Sequence, residues 1–268
     1  MLFRSHLGFG NESSLYRGSE KAIHNGADDN ASGTAGLIEL ARLLKNGPFK
    51  NYNFLFIAFS GEELGLLGSN FIVKNLPVPT ERISCMLNMD MIGRLKKEDP
   101  LLLINGVGTS PFWKEAVQKS YVGGLRIKTS ESGMGPSDHA SFYMHNLPAL
   151  HFFSGTHDDY HKPSDDADKV NFDGEKMILE FMLQIIGQIN SQTERLAFTK
   201  TVDSNNDDAP RFKVTLGVVP DYGFDGSGMR IDGVSEGKPA KAAGLLAGDV
   251  VVKIGDRKST RLNSSHIP

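Results

Sequence analysis

The 268-residue chain contains 39% hydrophobic and 23% charged residues, an ordinary globular composition, and its length allows one large domain or two. The formal net charge of −3 gives no reason to expect nucleic acid or a membrane surface as a partner. The single cysteine, Cys85, excludes an internal disulfide, and no apolar run is long enough to span a bilayer.

The first predicted element is a helix that begins directly after an acidic turn. Asp28 and Asp29 precede the small and N-capping residues 30–33. Apolar side chains then recur at helical spacing, at Leu37, Ile38, Ala41, Leu43 and Leu44. The two carboxylates are therefore predicted to lie at a helix N-terminus, where a solvated capping turn explains an isolated acidic pair equally well.

Apolar runs then alternate with helical segments, which predicts an α/β sheet. The predicted strands are 53–60, which reads as buried on both faces, 83–89, 101–104 and 148–153. The predicted helices are 64–74, 111–120 and 172–189. The last helix carries one continuous apolar stripe and has Asp173 as its expected cap.

Acidic residues follow two of these strands. Glu62 and Glu63 come after the first strand, and Asp90 comes after the second. Sites in α/β proteins assemble at the carboxyl ends of strands. Two adjacent carboxylates there repel each other and raise a pKa unless a cation is near, so the acidic residues indicate a cation site. The alternative is a solvent-facing acidic pair at the start of a helix.

The segment 154–165 is too rich in histidine and aspartate for an ordinary connection. His161 follows Tyr160 and stands four residues before Asp165, an arrangement able to fix an imidazole tautomer. Carboxylates and imidazole without a thiolate suit one or two zinc ions in an open catalytic site. The candidate set is Asp29, Glu62, Glu63, Asp90 and His161. The histidines expected to be structural are His24, His145 and His151.

Several ordered motifs resemble those of the M28 family of zinc aminopeptidases. They are GADDNASG, SGEELGLLGS, NMDMIGR, PSDHASF and DDYHKPSDDADKVN, and the resemblance runs from His6 to about Ile189. It implies a zinc aminopeptidase-like fold, in which a mixed, largely parallel central sheet is flanked by helices.

The resemblance also implies metal ligands, residue by residue. Asp29 matches the carboxylate that bridges two zinc ions in the family. Glu63 and His161 match the remaining ligands of one ion, and Asp90 matches a ligand of the other.

Catalytic roles follow from the same motifs. Glu62 matches the general base in the family. With Glu63 engaged as a metal ligand, the neighbouring Glu62 would be available to accept a proton from the metal-activated water. Tyr160 matches a position that donates a hydrogen bond to the tetrahedral oxyanion in some members. Asp165 matches a partner of the ligand histidine, and Asp138 is expected to give structural support.

One departure from the family pattern concerns its first metal-binding motif. Read backward from His6, the pattern HxDHLG places its leading histidine at Phe3 and its aspartate at Ser5. Phenylalanine cannot bind zinc, so two zinc ions are expected in the intact parent and one well-formed site here. Residues 1–5 and 256–268 resemble translated sequencing adapters, and the chain is interpreted as truncated at both ends.

Composition indicates two domains. A metallopeptidase domain is predicted over 6–192, a linker over 193–210 and part of a second domain over 211–255. The last segment resembles the first part of a bacterial PDZ domain, a module that binds a peptide as an added strand. Its expected peptide-binding residues are Leu216, Gly217, Val218 and Val219.

The leading functional hypothesis from the resemblance is a bacterial zinc aminopeptidase that hydrolyses N-terminal residues from peptides through a metal-activated water. One alternative is a catalytically inactive M28-like scaffold that binds peptides. Another is a single-zinc acyltransferase of the glutaminyl-cyclase type, distinguished by a cyclised product in place of a free amino acid. The resemblance also predicts a periplasmic or secreted protein.

Overall fold

The computed structural model describes residues 7–10, 14–16, 18–201, 216–220, 226–234, 238–254 and 257–258. The chain folds into two compact units. One unit comprises Ala27–Gly155 and Ala167–Asp203, and the other comprises Met1–Gly26, Thr156–Asp166 and Ser204–Pro268. Phe3, Ser5, His6, the linker residues 202–210 and most of both adapter-like segments lie outside the described residues.

A four-stranded mixed sheet organises the unit that contains Asp29. Its strands are β1 (Met86–Met89), β2 (Leu101–Asn105), β3 (Arg126–Ser130) and β4 (Ala149–Phe153), in the spatial order β1-β4-β2-β3. β1 runs parallel to β4 and β2 parallel to β3, whereas β4 and β2 are antiparallel. The predicted mixed, largely parallel sheet is confirmed.

Helices cover both faces of this sheet. They are α1 (Gly33–Asn46), α2 (Leu67–Lys74), α3 (Phe112–Lys119), α4 (His139–Tyr143) and α5 (Phe172–Asn190). Successive side chains of a strand point to opposite faces. Leu150 and Phe152 accordingly pack with residues of α1, α3 and α5, while Ala149 packs with residues of α2 and α4.

Helix α5 confirms one predicted element and corrects its cap. Its apolar stripe is core, since Ile178 and Ile185 are fully buried. The cap is Asn171, whose side chain accepts a hydrogen bond from the Gly174 N–H, so the assignment of Asp173 was wrong. The cap is Asn171 because the helix begins at Phe172, two residues before the start that a cap at Asp173 would require.

The extended segment 53–59 corrects another prediction. It pairs with no strand among the residues that the structure describes. Leu55 is 58% exposed and Phe56 is 38% exposed, so a strand buried on both faces was the wrong prediction. An apolar run in the sequence predicts burial. It becomes a strand only where a neighbouring strand pairs with its backbone N–H and C=O groups.

The second unit contains short antiparallel strands. They are β5 (Val218–Pro220), β6 (Met229–Val234), β7 (Val250–Val251), β8 (Lys253–Ile254) and β9 (Arg257–Lys258), and one short helix is α6 (Pro239–Ala242). β5, β6 and β7 form one sheet, and β8 pairs with β9. Across the described parts of both units, no helix has the length and apolar character that crossing a membrane requires.

Candidate metal and catalytic site

The turn that carries Asp29 is held by its neighbour Asn30. The Asn30 amide donates to the Met89 carbonyl at 2.9 Å, and its Oδ1 accepts from the Gly33 N–H at 3.0 Å and the Met91 N–H at 3.2 Å. A Cβ on Gly33 would lie 2.5 Å from the Met89 carbonyl oxygen, so this close approach requires glycine. The turn and the end of β1 are thereby tied together.

Asp28 has a structural place beside the site. It is fully buried, and its Oδ1 accepts a hydrogen bond from the Gly93 N–H at 2.6 Å and from the Ser32 hydroxyl at 3.0 Å. The Ser32 oxygen in turn accepts from the Ile92 N–H at 3.0 Å. Asp28 and Asp29 therefore differ: the first fixes the segment after β1 and the second belongs to the acidic cluster.

Glu62 and Glu63 lie on a single 3-10 turn, Glu62–Leu64, in place of the predicted helix start. Gly61 has φ +68 and Gly65 has φ +97, a left-handed conformation that favours glycine. Leu66 is also left-handed, with φ +59, so α2 begins only at Leu67. This irregular backbone places two carboxylates next to each other outside a regular helix.

Asp90 follows the last residue of β1, and a relay of side chains orients its carboxylate. The Ser137 hydroxyl donates to Asp90 Oδ2 at 2.6 Å, and the Asn88 amide donates to the Ser137 oxygen at 2.7 Å. Asn88 and Ser137 are both buried. One oxygen of Asp90 is therefore engaged and oriented by the protein.

Electrostatics show that the four predicted carboxylates lie close together. Burial raises the pKa of Glu62 far above its usual range, and the charges of Asp90, Glu63 and Asp29 raise it further. Burial also raises the pKa of Asp90, with the charge of Asp29 as the next cause, while the Ser137 hydrogen bond lowers it. A cation among these groups would remove the repulsion that keeps protons on them.

The donor atoms fit a metal ion. A carboxylate oxygen of Asp29 and one of Glu63 lie within 4.8 Å of each other, and Asp29 is buried. Carboxylate oxygens together with an imidazole nitrogen are a ligand set that suits zinc. Carboxylate oxygens alone suit harder cations such as Mg²⁺ or Ca²⁺.

The loop 156–166, in the second unit, carries the predicted histidine. His161 and Asp165 are buried. The Tyr160 ring stacks on the His161 imidazole, with ring centroids 3.8 Å apart and 25° between the planes. His161 has φ +53, and its carbonyl accepts from the Leu15 N–H at 3.0 Å. Ring stacking and backbone bonding thus restrict the orientation of this imidazole.

The histidines predicted to be structural have ordinary surroundings. His24 Nε2 bonds the Ser14 hydroxyl at 2.7 Å, and His145 Nδ1 bonds the Ser141 carbonyl at 2.8 Å. His151 stacks on His139, a fully buried ring. None of the three predicted structural histidines belongs to a group of three metal-capable side chains in the described part of the chain.

Two features of the site were missed in the sequence. The Asn88–Ser137–Asp90 relay joins residues far apart in the chain, although the serine next to Asp138 in PSDHASF was a visible signal.

Glu175, in the first turn of α5, is buried, and its pKa is raised to about 7 by burial and by the charge of Asp28. No local pattern distinguishes Glu175 from an ordinary helix-start glutamate.

Comparison with known proteins identifies the family. The model of peptidase family M28 matches residues 6–186. The chain belongs to peptidase family M28. That assignment agrees with the ordered motifs that contain Asp29, Glu62 and Asp90.

Curated relatives of this M28 chain include two bacterial enzymes. It is 32% identical over 155 residues to Aminopeptidase YwaD of Bacillus subtilis, a match that covers 54% of this chain and 34% of that protein. It is 34% identical over 154 residues to leupeptin-inactivating enzyme 1 of Streptomyces exfoliatus, covering 54% and 32%. The chain thus spans about a third of the length of these relatives.

Solved structures share the fold. BSAP, a zinc aminopeptidase from Bacillus subtilis, matches with a TM-score of 0.54 and 28% identity over 65% of this chain and 45% of that one. Glutaminyl cyclase of Porphyromonas gingivalis matches with a TM-score of 0.50 and 17% identity over 69% and 71%. The M28 fold therefore supports more than one chemistry, and function has to be argued from the side chains of the site.

Proposed function

We propose that this M28 chain carries the catalytic site of a zinc-dependent aminopeptidase, which releases N-terminal residues from peptides. The observation that carries the proposal is the cluster of Asp29, Glu62, Glu63 and Asp90, whose mutual repulsion calls for a cation. The relatives named as aminopeptidases support the same activity.

In this proposal Asp29, Glu63 and His161 hold one zinc ion, and Asp90 contributes to a second position. Two carboxylates and one imidazole are a usual protein ligand count for catalytic zinc, which keeps a position open. Support comes from the approach of Asp29 to Glu63 and from the restricted orientation of the His161 ring. Bound zinc supplies a Lewis acid that polarises a carbonyl and acidifies water.

Glu62 acts as the general base. Its carboxyl lies among the other three, yet it is the one whose proton affinity burial raises most clearly. Because Glu63 would be engaged as a metal ligand, the neighbouring Glu62 carboxylate would be available to take a proton from water and to pass that proton to the leaving amine. Tyr160 donates a hydrogen bond to the developing oxyanion, and Asp165 orients His161.

The proposal is tested with a matched pair of peptides, one with a free N-terminus and one acetylated. The zinc-loaded protein is expected to release the first residue of the free peptide alone, and a chelator should stop the release until zinc is returned. Equal cleavage of both peptides would rule out an aminopeptidase. Conversion of an N-terminal glutamine to a cyclised product, without release of an amino acid, would favour the cyclase.

A peptide ligand is also proposed for the residues that resemble a PDZ domain. β5 pairs with β6 in antiparallel register, Val218 opposite Val234, and the Ala240 N–H of α6 bonds the Leu216 carbonyl at 2.9 Å. The segment Leu216–Val219 thus lies between a strand and a short helix, an arrangement that suits capture of a C-terminal carboxylate. Titration with a labelled peptide and its C-terminal amide tests this: equal binding would exclude carboxylate recognition.

A further inference from the structure

Three asparagine–glycine pairs occur in the chain, and the fold treats them differently. They are Asn25–Gly26, Asn46–Gly47 and Asn105–Gly106. An asparagine followed by glycine can cyclise, because the following residue has no Cβ to hinder its own backbone nitrogen. Whether the reaction occurs in a folded protein depends on the freedom of that nitrogen and of the asparagine side chain.

Asn25–Gly26 differs from the other two pairs in the hydrogen bonding of its glycine nitrogen. Asn25 is exposed, whereas Gly26 is buried and has φ +61. The Gly26 N–H donates no hydrogen bond within the described part of the chain. The attacking nitrogen therefore gives up no hydrogen bond to a described residue, and only the Asn25 side-chain amide has to leave its bond to Asp166 Oδ1 at 2.6 Å. Each of the other two pairs has both a side-chain and a backbone hydrogen bond to give up.

Asn46–Gly47 is partly engaged. Asn46 is the last residue of α1, and its amide donates to the Arg42 carbonyl at 3.0 Å. The Gly47 N–H caps the helix through the Leu44 carbonyl at 3.4 Å, a long hydrogen bond. Cyclisation here has to give up a weak cap.

Asn105–Gly106 is the most protected pair. Asn105 is the last residue of β2, is half-buried, and bonds His151 Nδ1 at 3.3 Å through its amide. The Gly106 N–H donates to the Ser130 carbonyl at 2.9 Å. Attack would require both interactions to break in the middle of a sheet.

We propose that Asn25 is a site of spontaneous conversion to aspartate and isoaspartate, favoured over Asn46 and Asn105 by the fold. The Gly26 nitrogen forms a bond to Asn25 Cγ and gives up its proton, and the side-chain nitrogen leaves as ammonia. Water then opens the succinimide ring at either carbonyl, which yields aspartate or isoaspartate. The net change replaces an amide nitrogen by oxygen and adds one negative charge.

The conversion has a structural consequence in the same unit. The Asn25 amide donates to Asp166 Oδ1 at 2.6 Å, which ties the turn at Asn25 to the loop 156–166. After conversion, the new carboxylate at position 25 faces the Asp166 carboxylate in place of the Asn25 amide that donated to it. Like charges at that separation repel. We therefore expect the loop to lose one of its anchors. This inference does not rest on the proposed enzymatic activity.

The three pairs form an internal comparison in one sample. The full-length chain is aged at mildly alkaline pH, and peptides are mapped over time by mass spectrometry with separation of the isoaspartyl forms. Conversion is expected fastest at Asn25, slower at Asn46 and slowest at Asn105. Faster conversion of Asn46 or Asn105 would overturn the proposal. The order should also collapse in denaturant; an unchanged order there would show that the fold is not its cause.

The consequence is tested by Asn25→Asp, with Asn46→Asp as a control of equal charge. Amide exchange is expected to quicken at Asp165 and Asp166, whose N–H groups bond Lys162 and Ser164 carbonyls, in the first variant alone. Equal exchange in Asn25→Asp and the unmodified chain would refute the lost anchor. Equal acceleration in both variants would assign the effect to net charge.

Discussion

Glu62 and Glu63 are neighbours on one 3-10 turn, yet the proposed site gives them different tasks. We expect Glu62→Gln to leave zinc content nearly unchanged and to reduce turnover by about 100-fold or more, the scale of general acid–base catalysis. The matched variant Glu63→Gln should lose zinc because it removes a ligand. Metal analysis beside turnover checks both variants. Loss of stoichiometric zinc from Glu62→Gln would mean that the two roles are exchanged.

Ser137 illustrates how a neutral residue can tune a carboxylate. Its hydroxyl donates to Asp90 at 2.6 Å and lowers the pKa of that carboxyl. We expect Ser137→Ala to weaken zinc binding or activity by about 10- to 100-fold, the range for partners of metal ligands. Ser141→Ala is the control, since Ser141 is equally buried but bonds Ser69. Similar losses of zinc binding or activity in both variants would show that Ser137 acts through packing and not through its hydrogen bond to Asp90.

At the scale of elements, helix α5 couples the core to the acidic turn through Glu175. The pKa of Glu175 is raised from 4.5 to about 7 by burial and by the charge of Asp28. The folded state thus binds this proton more tightly than the unfolded chain does. The free energy of unfolding should consequently fall as pH rises from about 4.5 to about 7 and then level off.

Glu175→Gln should flatten that part of the stability–pH curve. Glu180→Gln is the control on the same helix, because Glu180 is exposed and pairs with Lys176. Thermal or denaturant unfolding at a series of pH values measures the difference. An unchanged slope in Glu175→Gln would show that the carboxyl titrates alike in folded and unfolded chains.

The helix start and the unpaired segment show how context overrides local pattern. The apolar stripe of α5 was readable because one helix face repeats along the chain, and its core residues are buried as expected. The segment 53–59 carried an equally apolar pattern, but pairing needs a partner, and none of the described strands supplies one. Hydrophobic periodicity therefore predicts a helix better than a strand, because the backbone hydrogen bonds of a helix lie within the same segment.

For the whole molecule, the number of bound metal ions is the informative measurement. In the proposed site Asp29, Glu63 and His161 would give one zinc ion three ligands. Only Asp29 and Asp90 would remain for a second ion, because the family pattern places Phe3 at a histidine position. At micromolar zinc we expect occupancy near one ion per chain. Metal analysis under matched zinc decides the question, and two tightly bound ions would show that another residue has replaced the missing ligand.

Sequence by itself determined the helices α1, α3 and α5, the strands β1, β2 and β4, and the chemistry available to the site, but it predicted neither β3 nor α4. Acidic residues after apolar runs, followed by a histidine-rich loop, indicated a cation site because like charges collect only where something offsets their repulsion. The same reasoning named Asp29, Glu62, Glu63 and Asp90, which the fold brings together.

Tertiary structure alone decided which polar groups support that site. Ser137 lies 47 residues from Asp90 in the chain, and Gly93 lies 65 residues from Asp28, yet each pair is joined by a hydrogen bond of 2.6 Å. Folding also brings the charge of Asp28 near Glu175, which raises the pKa of Glu175. Folding likewise gives the three asparagine–glycine pairs different hydrogen bonds. Burial and hydrogen bonding depend on contacts between segments that are distant in the sequence. A local sequence pattern does not predict those contacts.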